Sequence, residues 1–155
     1  MNFLKRIFNK SNNQQNDIET QKGKLEEDLL EDVLWNFANK KYADLGTFSQ
    51  ALIAYNQKIK PDHDLDIKRI FISSRKITVQ YMFWGEDEDG DEDQIEENFT
   101  ITTDNKKGFA LNDFLFQVHN QVCENMVDED ATFFQGLMPH DDDSGVPFFF
   151  LNQGS

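Results

Sequence analysis

Val146-Pro147-Phe148-Phe149-Phe150-Leu151 is the longest uninterrupted apolar run in the chain, and its six residues sharply limit the fold. A membrane-spanning helix needs about 20 apolar residues, so the run is far too short to be one. It suits a strand. Because odd and even positions are equally apolar, it predicts a strand covered on both faces or lying at an inter-subunit edge. Pro147 has no N–H for a ladder and places the run at a sheet edge or at a strand start.

A strand of this kind needs neighbours, and the middle of the chain supplies them. Asp66 to Ser73 and Lys76 to Trp84 are rich in Ile, Val, Phe, Tyr and Trp, and the short join Ser73-Ser74-Arg75 predicts a hairpin. In the second segment Ile77, Val79, Tyr81 and Phe83 alternate with Thr78, Gln80, Met82 and Trp84, so one face is core and the other half-covered. The acidic run after Trp84 reads as a turn, and Asn98 to Thr103 as a third strand, antiparallel to the second.

Helical spacing occupies the rest. Leu25, Leu29, Leu30, Val33, Leu34 and Phe37 predict a helix over 24–42, with acids on the opposite face and Lys40 and Lys41 at its end. Thr47 and Gln50 form a capping box for a second helix that Pro61 ends, with Phe48, Leu52, Tyr55 and Ile59 as its stripe. Leu111, Phe114, Leu115, Val118 and Val122 predict a third over 110–125, and Thr132 to Leu137 a short helical turn. The expected order is ααβββαβ: an α+β domain over 24–155 with an antiparallel sheet of about four strands. Residues 1–23 read as a basic amphipathic piece, with Phe3, Leu4, Ile7 and Phe8 beside Lys5, Arg6 and Lys10, and then a polar tether.

Charge narrows the partners. The chain has 155 residues, and 15 Lys+Arg against 29 Asp+Glu give 15 − 29 = −14. Counting along the sequence, residues 1–76 carry 13 − 11 = +2 and residues 77–155 carry 2 − 18 = −16. Nine of those 18 acids lie between Glu86 and Glu97. Affinity for polyphosphate comes from Lys and Arg displacing counterions, so nucleic acid is an unfavourable partner and a basic protein a favourable one. An aromatic share of 13% separates the chain from disordered acidic sequences. The N-terminal residues lack the apolar region and cleavage site of a secretory signal, and Cys123 is the lone cysteine. A cytoplasmic protein is expected.

Candidate chemistry is sparse. Placing Gly90 at the obligatory turn of a calcium loop puts Gly85 at the first ligand position and Glu92 where an apolar residue belongs, so the EF-hand pattern fails twice. His119 and Cys123 stand four apart on one helical face, too few ligands for zinc without His63 or His140. No glycine-rich phosphate loop, nucleophile elbow or nucleophile–base constellation is present, and neither a cofactor nor catalysis is expected.

The composition therefore predicts a small acidic protein-binding domain that docks or neutralises a basic partner. Its contact residues are expected to be Trp84 with Glu86, Asp87, Glu88, Asp89, Asp91, Glu92 and Asp93, and Asp141, Asp142 and Asp143. In size and charge the chain is similar to bacterial immunity proteins and antitoxins, a likeness that covers no motif. Two other classes compete: a metal-binding protein or metal-dependent enzyme using the acidic loops with His119 and His140, and a membrane-proximal adaptor with a weak surface contact through residues 1–10.

Overall fold

The computed structural model describes residues 28–155. The amphipathic segment and tether expected over 1–23 lie outside them, as does the beginning of the helix expected over 24–42. The described elements are β1 (Trp35–Asn36), α1 (Leu45–Ile59), β2 (Ile70–Ile72), β3 (Lys76–Glu86), β4 (Glu92–Thr102), β5 (Phe109–Ala110), α2 (Leu111–Val122) with a 3-10 turn Cys123–Met126, β6 (Phe133–His140) and β7 (Phe148–Gly154). The class is α+β, as expected. The order, βαββββαββ, is not.

The two helices form where apolar spacing places them. Leu111, Phe114, Leu115, Val118 and Val122 of α2 are all fully buried, and Met126 extends the stripe. On α1, Phe48 and Leu52 are buried while Ile59 is exposed, so the stripe fades before Pro61. Its cap lies three residues earlier than the Thr47 box: Asp44 Oδ1 accepts the Thr47 N–H at 2.7 Å and Oδ2 accepts the Thr47 hydroxyl at 3.0 Å. Those two bonds hold the Asp44 carboxyl below its ordinary pKa.

The β3–β4 hairpin also matches the alternation, pairing from Lys76↔Thr102 to Glu86↔Glu92. The strand after Trp84 is longer than expected, because Glu92 to Glu97 continue the ladder instead of the turn. β7 then lies parallel to β3 and antiparallel to β6, giving the five-stranded order β1-β6-β7-β3-β4. Phe148 to Leu151 of the apolar run thus belong to a central strand and not an edge. Pro147 precedes it, where no ladder N–H is needed, and its carbonyl accepts the Thr78 N–H at 2.9 Å.

Three expectations are overturned. No hairpin joins residues 66–73 to β3: β2 pairs instead with β5 in a separate two-stranded sheet. Gly108 (φ +116) makes this pairing feasible, since a Cβ there would lie 2.0 Å from the Ile72 carbonyl oxygen. Thr132 to Leu137 is not a helical turn but the start of β6, whose register shifts between Phe134 and Leu137. Gly136 (φ +106) sits in that bulge, with the Leu29 carbonyl 2.7 Å from where its Cβ would be. The bulge hides the period-two pattern.

The third correction is the largest. Residues 28–42 are extended, not helical: Leu29 exchanges two backbone hydrogen bonds with Leu137 at 2.8 Å each, Leu30 is left-handed (φ 62), and Val33, Trp35 and Phe37 are buried in alternation. Side-chain amides satisfy part of this backbone. Asn56 of α1 accepts from the Leu34 N–H at 2.9 Å and donates to the Leu34 carbonyl at 2.8 Å. Asn120 of α2 does the same for Tyr42, at 2.9 and 3.0 Å. Each asparagine stands in for a missing neighbouring strand. Trp35 Nε1–H meanwhile donates to His119 Nδ1 at 3.1 Å inside the core.

A buried peptide group that loses its partner costs about 1–3 kcal/mol. Asn56→Ala strips both groups of Leu34, so it is expected to lower the unfolding free energy by about 2–4 kcal/mol. Urea denaturation checks this through a reduced midpoint at constant m value; an unchanged midpoint would mean the clamp carries no weight.

Candidate functional site

Alternation along the five-stranded sheet sends Ile77, Val79, Tyr81, Phe149, Leu151 and Leu137 into one core with the stripes of α1 and α2. The opposite positions form a face that neither helix covers. Phe148 lies between His140 and Thr78, and Phe150 between Met138 and Gln80, followed along β3 by Met82 and Trp84. Trp84 is 56% exposed, Met138 43% and Met82 39%. The His140 ring packs on Phe148 and Phe150 at centroid distances of 5.1 and 4.8 Å. Exposed apolar residues scattered singly are ordinary; a contiguous set on a sheet face marks a contact surface.

The face is not flat. β3 and β7 pair from Thr78↔Phe148 to Gln80↔Phe150 and then separate. Side chains replace the ladder beyond that point: Gln153 Oε1 accepts the Met82 N–H and Gln153 Nε2 donates to the Met82 carbonyl, both at 2.9 Å, while Glu129 Oε1 accepts the Trp84 N–H at 2.8 Å. A groove of about 620 Å³ opens along this separation. Met82, Trp84, Met138 and Phe150 give it apolar walls, and Asp28, Glu31, Glu96 and Glu129 surround it with four carboxylates. Beneath it Tyr81 donates to Glu97 Oε2 at 2.9 Å and accepts from Asn125 at 2.7 Å. Burial, with the Glu97 carboxylate adding to it, pushes the Tyr81 hydroxyl up to about 12.

The acidic segments take two separate positions. Glu86, Glu88, Asp89, Asp91, Glu92 and Asp93 are exposed at the tip of the β3–β4 hairpin, just beyond Trp84. Asp87 has a structural task there: its carboxylate accepts the N–H groups of Asp89 and Asp91, both at 2.9 Å, and Gly90 (φ +82) closes the turn. Asp141, Asp142 and Asp143 lie in the β6–β7 loop, at the Thr78 end of β3. Eight residues of strand, roughly 26 Å, separate Thr78 from Glu86. The two clusters therefore flank the open face from opposite ends and do not converge. The Ser144 hydroxyl and N–H bind Asp142 at 2.6 and 3.0 Å and hold its carboxyl below the usual range.

The histidines are also separated. His140 is on the open face, whereas His119 is fully buried on the core side. The Trp35 bond makes His119 Nδ1 an acceptor, so Nε2 carries the proton and donates to the Lys40 carbonyl at 2.9 Å. Both ring nitrogens are committed to protein partners. Cys123 is buried, and burial pushes its thiol up. His63 lies by Asp32 at 3.7 Å, beside the bidentate Arg69–Asp32 pair at 2.6 and 2.8 Å. Among the described residues, no three His, Cys, Asp or Glu side chains are grouped to hold a metal ion, and no helix is long and apolar enough to cross a membrane.

The sequence points to Trp84 and the hairpin acids and gives no sign of Met138, Glu129 or Gln153. Phe150 carried a partial signal, because a strand apolar on both faces must put some aromatic side chains on its outer side. No family model, no curated protein and no solved structure matches this chain.

Burial, opposed by the Lys40 carbonyl, lowers the pKa of His119. The folded state therefore resists protonation below the ordinary value of about 6.5. Stability from His119 is complete above that pH and is lost as pH falls towards the folded pKa, with a limiting slope of about 1.4 kcal/mol per pH unit. Urea unfolding at pH 7.5 and 5.5 is expected to show this loss, and His119→Gln is expected to flatten it.

Proposed function

We propose that this chain is an acidic protein-binding domain that docks a basic partner on the open face of its five-stranded sheet. One observation supports this reading above the others: exposed Trp84, Met82 and Met138 share a groove with Phe150 and four carboxylates. Aromatic and methionine side chains bury area in a partner's pocket, while acids at the rim favour cationic partners and repel others. The hairpin tip, held away from the core, sets the long-range field. Each exposed charge there contributes little to final affinity but much to encounter rate. A basic protein of the kind neutralised by immunity proteins has the matching charge.

Pull-down from cell lysate with the whole chain, followed by kinetics on the captured protein, tests this. The association rate is expected to fall steeply as salt rises. Glu88→Lys with Asp89→Lys should slow association with little change in dissociation, leaving the Asp87 turn intact. Trp84→Ala should instead speed dissociation and weaken binding by about tenfold or more. A captured protein that is not basic, or whose binding ignores both salt and Trp84, would sink the proposal.

A further inference from the structure

We propose that the outer edge of β4 takes a basic, extended segment of the partner as a sixth strand of the sheet. The proposal rests on reading the partner as basic and adds how its chain runs against this one. β4 is an edge strand of the order β1-β6-β7-β3-β4 and is eleven residues long. Its outer side has no neighbouring strand among the described residues.

The register fixes which backbone groups this edge presents. The Thr78 N–H is directed to the Pro147 carbonyl and the Met82 N–H to Gln153, so the even positions of β3 face β7 and the odd ones face β4. Val79↔Phe99, Tyr81↔Glu97 and Phe83↔Ile95 are therefore hydrogen-bonded pairs. Glu96, Asn98 and Thr100 direct their N–H and C=O groups outward, and those groups have no partner among the described residues. Towards either end the edge is already occupied: Asp93 Oδ1 accepts the Gln94 N–H at 2.8 Å, and Gln117 Nε2 donates to the Thr102 carbonyl at 3.0 Å. The stretch from Glu96 to Thr100 stays open to strand addition.

Charge decides what fits there. Proteins blunt exposed edges with proline, bulges, short strands or charged side chains. β4 contains no proline, pairs with β3 in unbroken register, and carries Glu92, Asp93, Glu96 and Glu97 without a lysine or arginine. Acids alone guard it, so the guard is selective. A second copy would bring its own β4 acids to the same edge and be repelled, whereas a strand bearing lysine or arginine meets a field of opposite sign. Alternation gives that strand two faces. On the open face its side chains stand beside Gln94 and Glu96, which also line the groove, so edge and groove form one continuous surface. On the helix side they stand beside Ile95 and Phe99, both half-buried, the latter edge-on to Tyr81 at 5.9 Å. The fitting segment alternates cationic with aliphatic residues.

A synthetic peptide of alternating lysine and valine tests this on the full chain, with amide hydrogen exchange followed by NMR. At saturation the peptide is expected to slow exchange about tenfold at Glu96, Asn98 and Thr100 and to leave Ile95, Glu97 and Phe99, already bonded to β3, within about twofold. Two modified peptides, N-methylated on every lysine amide or on every valine amide, test the register. One of them is expected to bind about tenfold more weakly while the other stays within about twofold of the parent, because alternate N–H groups of an added strand face β4. Asn98→Pro removes an outward N–H, spares the β3 ladder, and is expected to weaken binding of the parent peptide. Equal affinities of the two methylated peptides, or no slowing at Glu96, Asn98 and Thr100, overturn the proposal, since a peptide held by charge alone has no such register. Self-association of the native chain that protects the same amides, and that Asn98→Pro abolishes, assigns the edge to a second copy and likewise overturns it. The salt and Trp84 tests of the partner reading stand apart: a basic partner that binds Asn98→Pro with unchanged affinity rejects the added strand and leaves that reading intact.

Discussion

The hydrogen-bond relay from Trp35 through His119 to the Lys40 carbonyl fixes the part of the chain on which everything else is arranged. Residues 28–42 are too extended to satisfy their own backbone and touch β6 at only a few positions. Part of their peptide groups is instead taken up by side chains: Asn56 from α1 at Leu34 and Asn120 from α2 at Tyr42, with the His119 partners Trp35 and Lys40 between those two positions in the chain. Trp35 fills the centre, its ring edge-on to Phe48 and Tyr55. Buried amides and a buried imidazole are costly unless paired. Here each is paired, so the same groups that would be liabilities lock two helices to one extended segment.

That arrangement gathers both helices on one side of the sheet and runs the extended segment along its β6 edge. The other side is left with no covering element among the described residues, which makes the outward residues of β3, β6 and β7 the molecule's available surface. Gln153 and Glu129 then do for β3 what Asn56 does for Leu34. They finish the hydrogen bonding of a strand whose neighbour has diverged, and so allow a groove where a continuous sheet would have been flat. Charge follows the same division: the hairpin tip and the β6–β7 loop project their acids beyond the two ends of that open face.

Legibility followed the range of the interactions. Both helices described in full were visible because a stripe such as Leu111, Phe114, Leu115, Val118 needs only local spacing. The β3–β4 hairpin was visible because its alternation is uninterrupted. Residues 28–42 misled because Leu29, Leu30, Val33 and Leu34 have helical spacing, while the alternation of Val33, Trp35 and Phe37 that governs the fold occupies the same stretch. Helix propensity there loses to the cross-chain bonds from Leu137, Asn56 and Asn120. The Gly136 bulge broke the β6 pattern in the same way, and no local signal tells that β2 pairs with β5 across more than thirty residues.

The candidate site divides along the same line. Sequence alone determined that the second half carries the negative charge, that Trp84 stands next to the acidic turn, and that the 146–151 run is a strand; composition and local period suffice for each. Only the tertiary structure decided that this strand is central, that its outer aromatics join Met82, Met138 and Trp84, that the acids of 86–93 and 141–143 lie at opposite ends, and that His119 belongs to the core. Those outcomes depend on which strands pair and on where each pairing ends, and strand pairing is a contact between residues far apart in the chain.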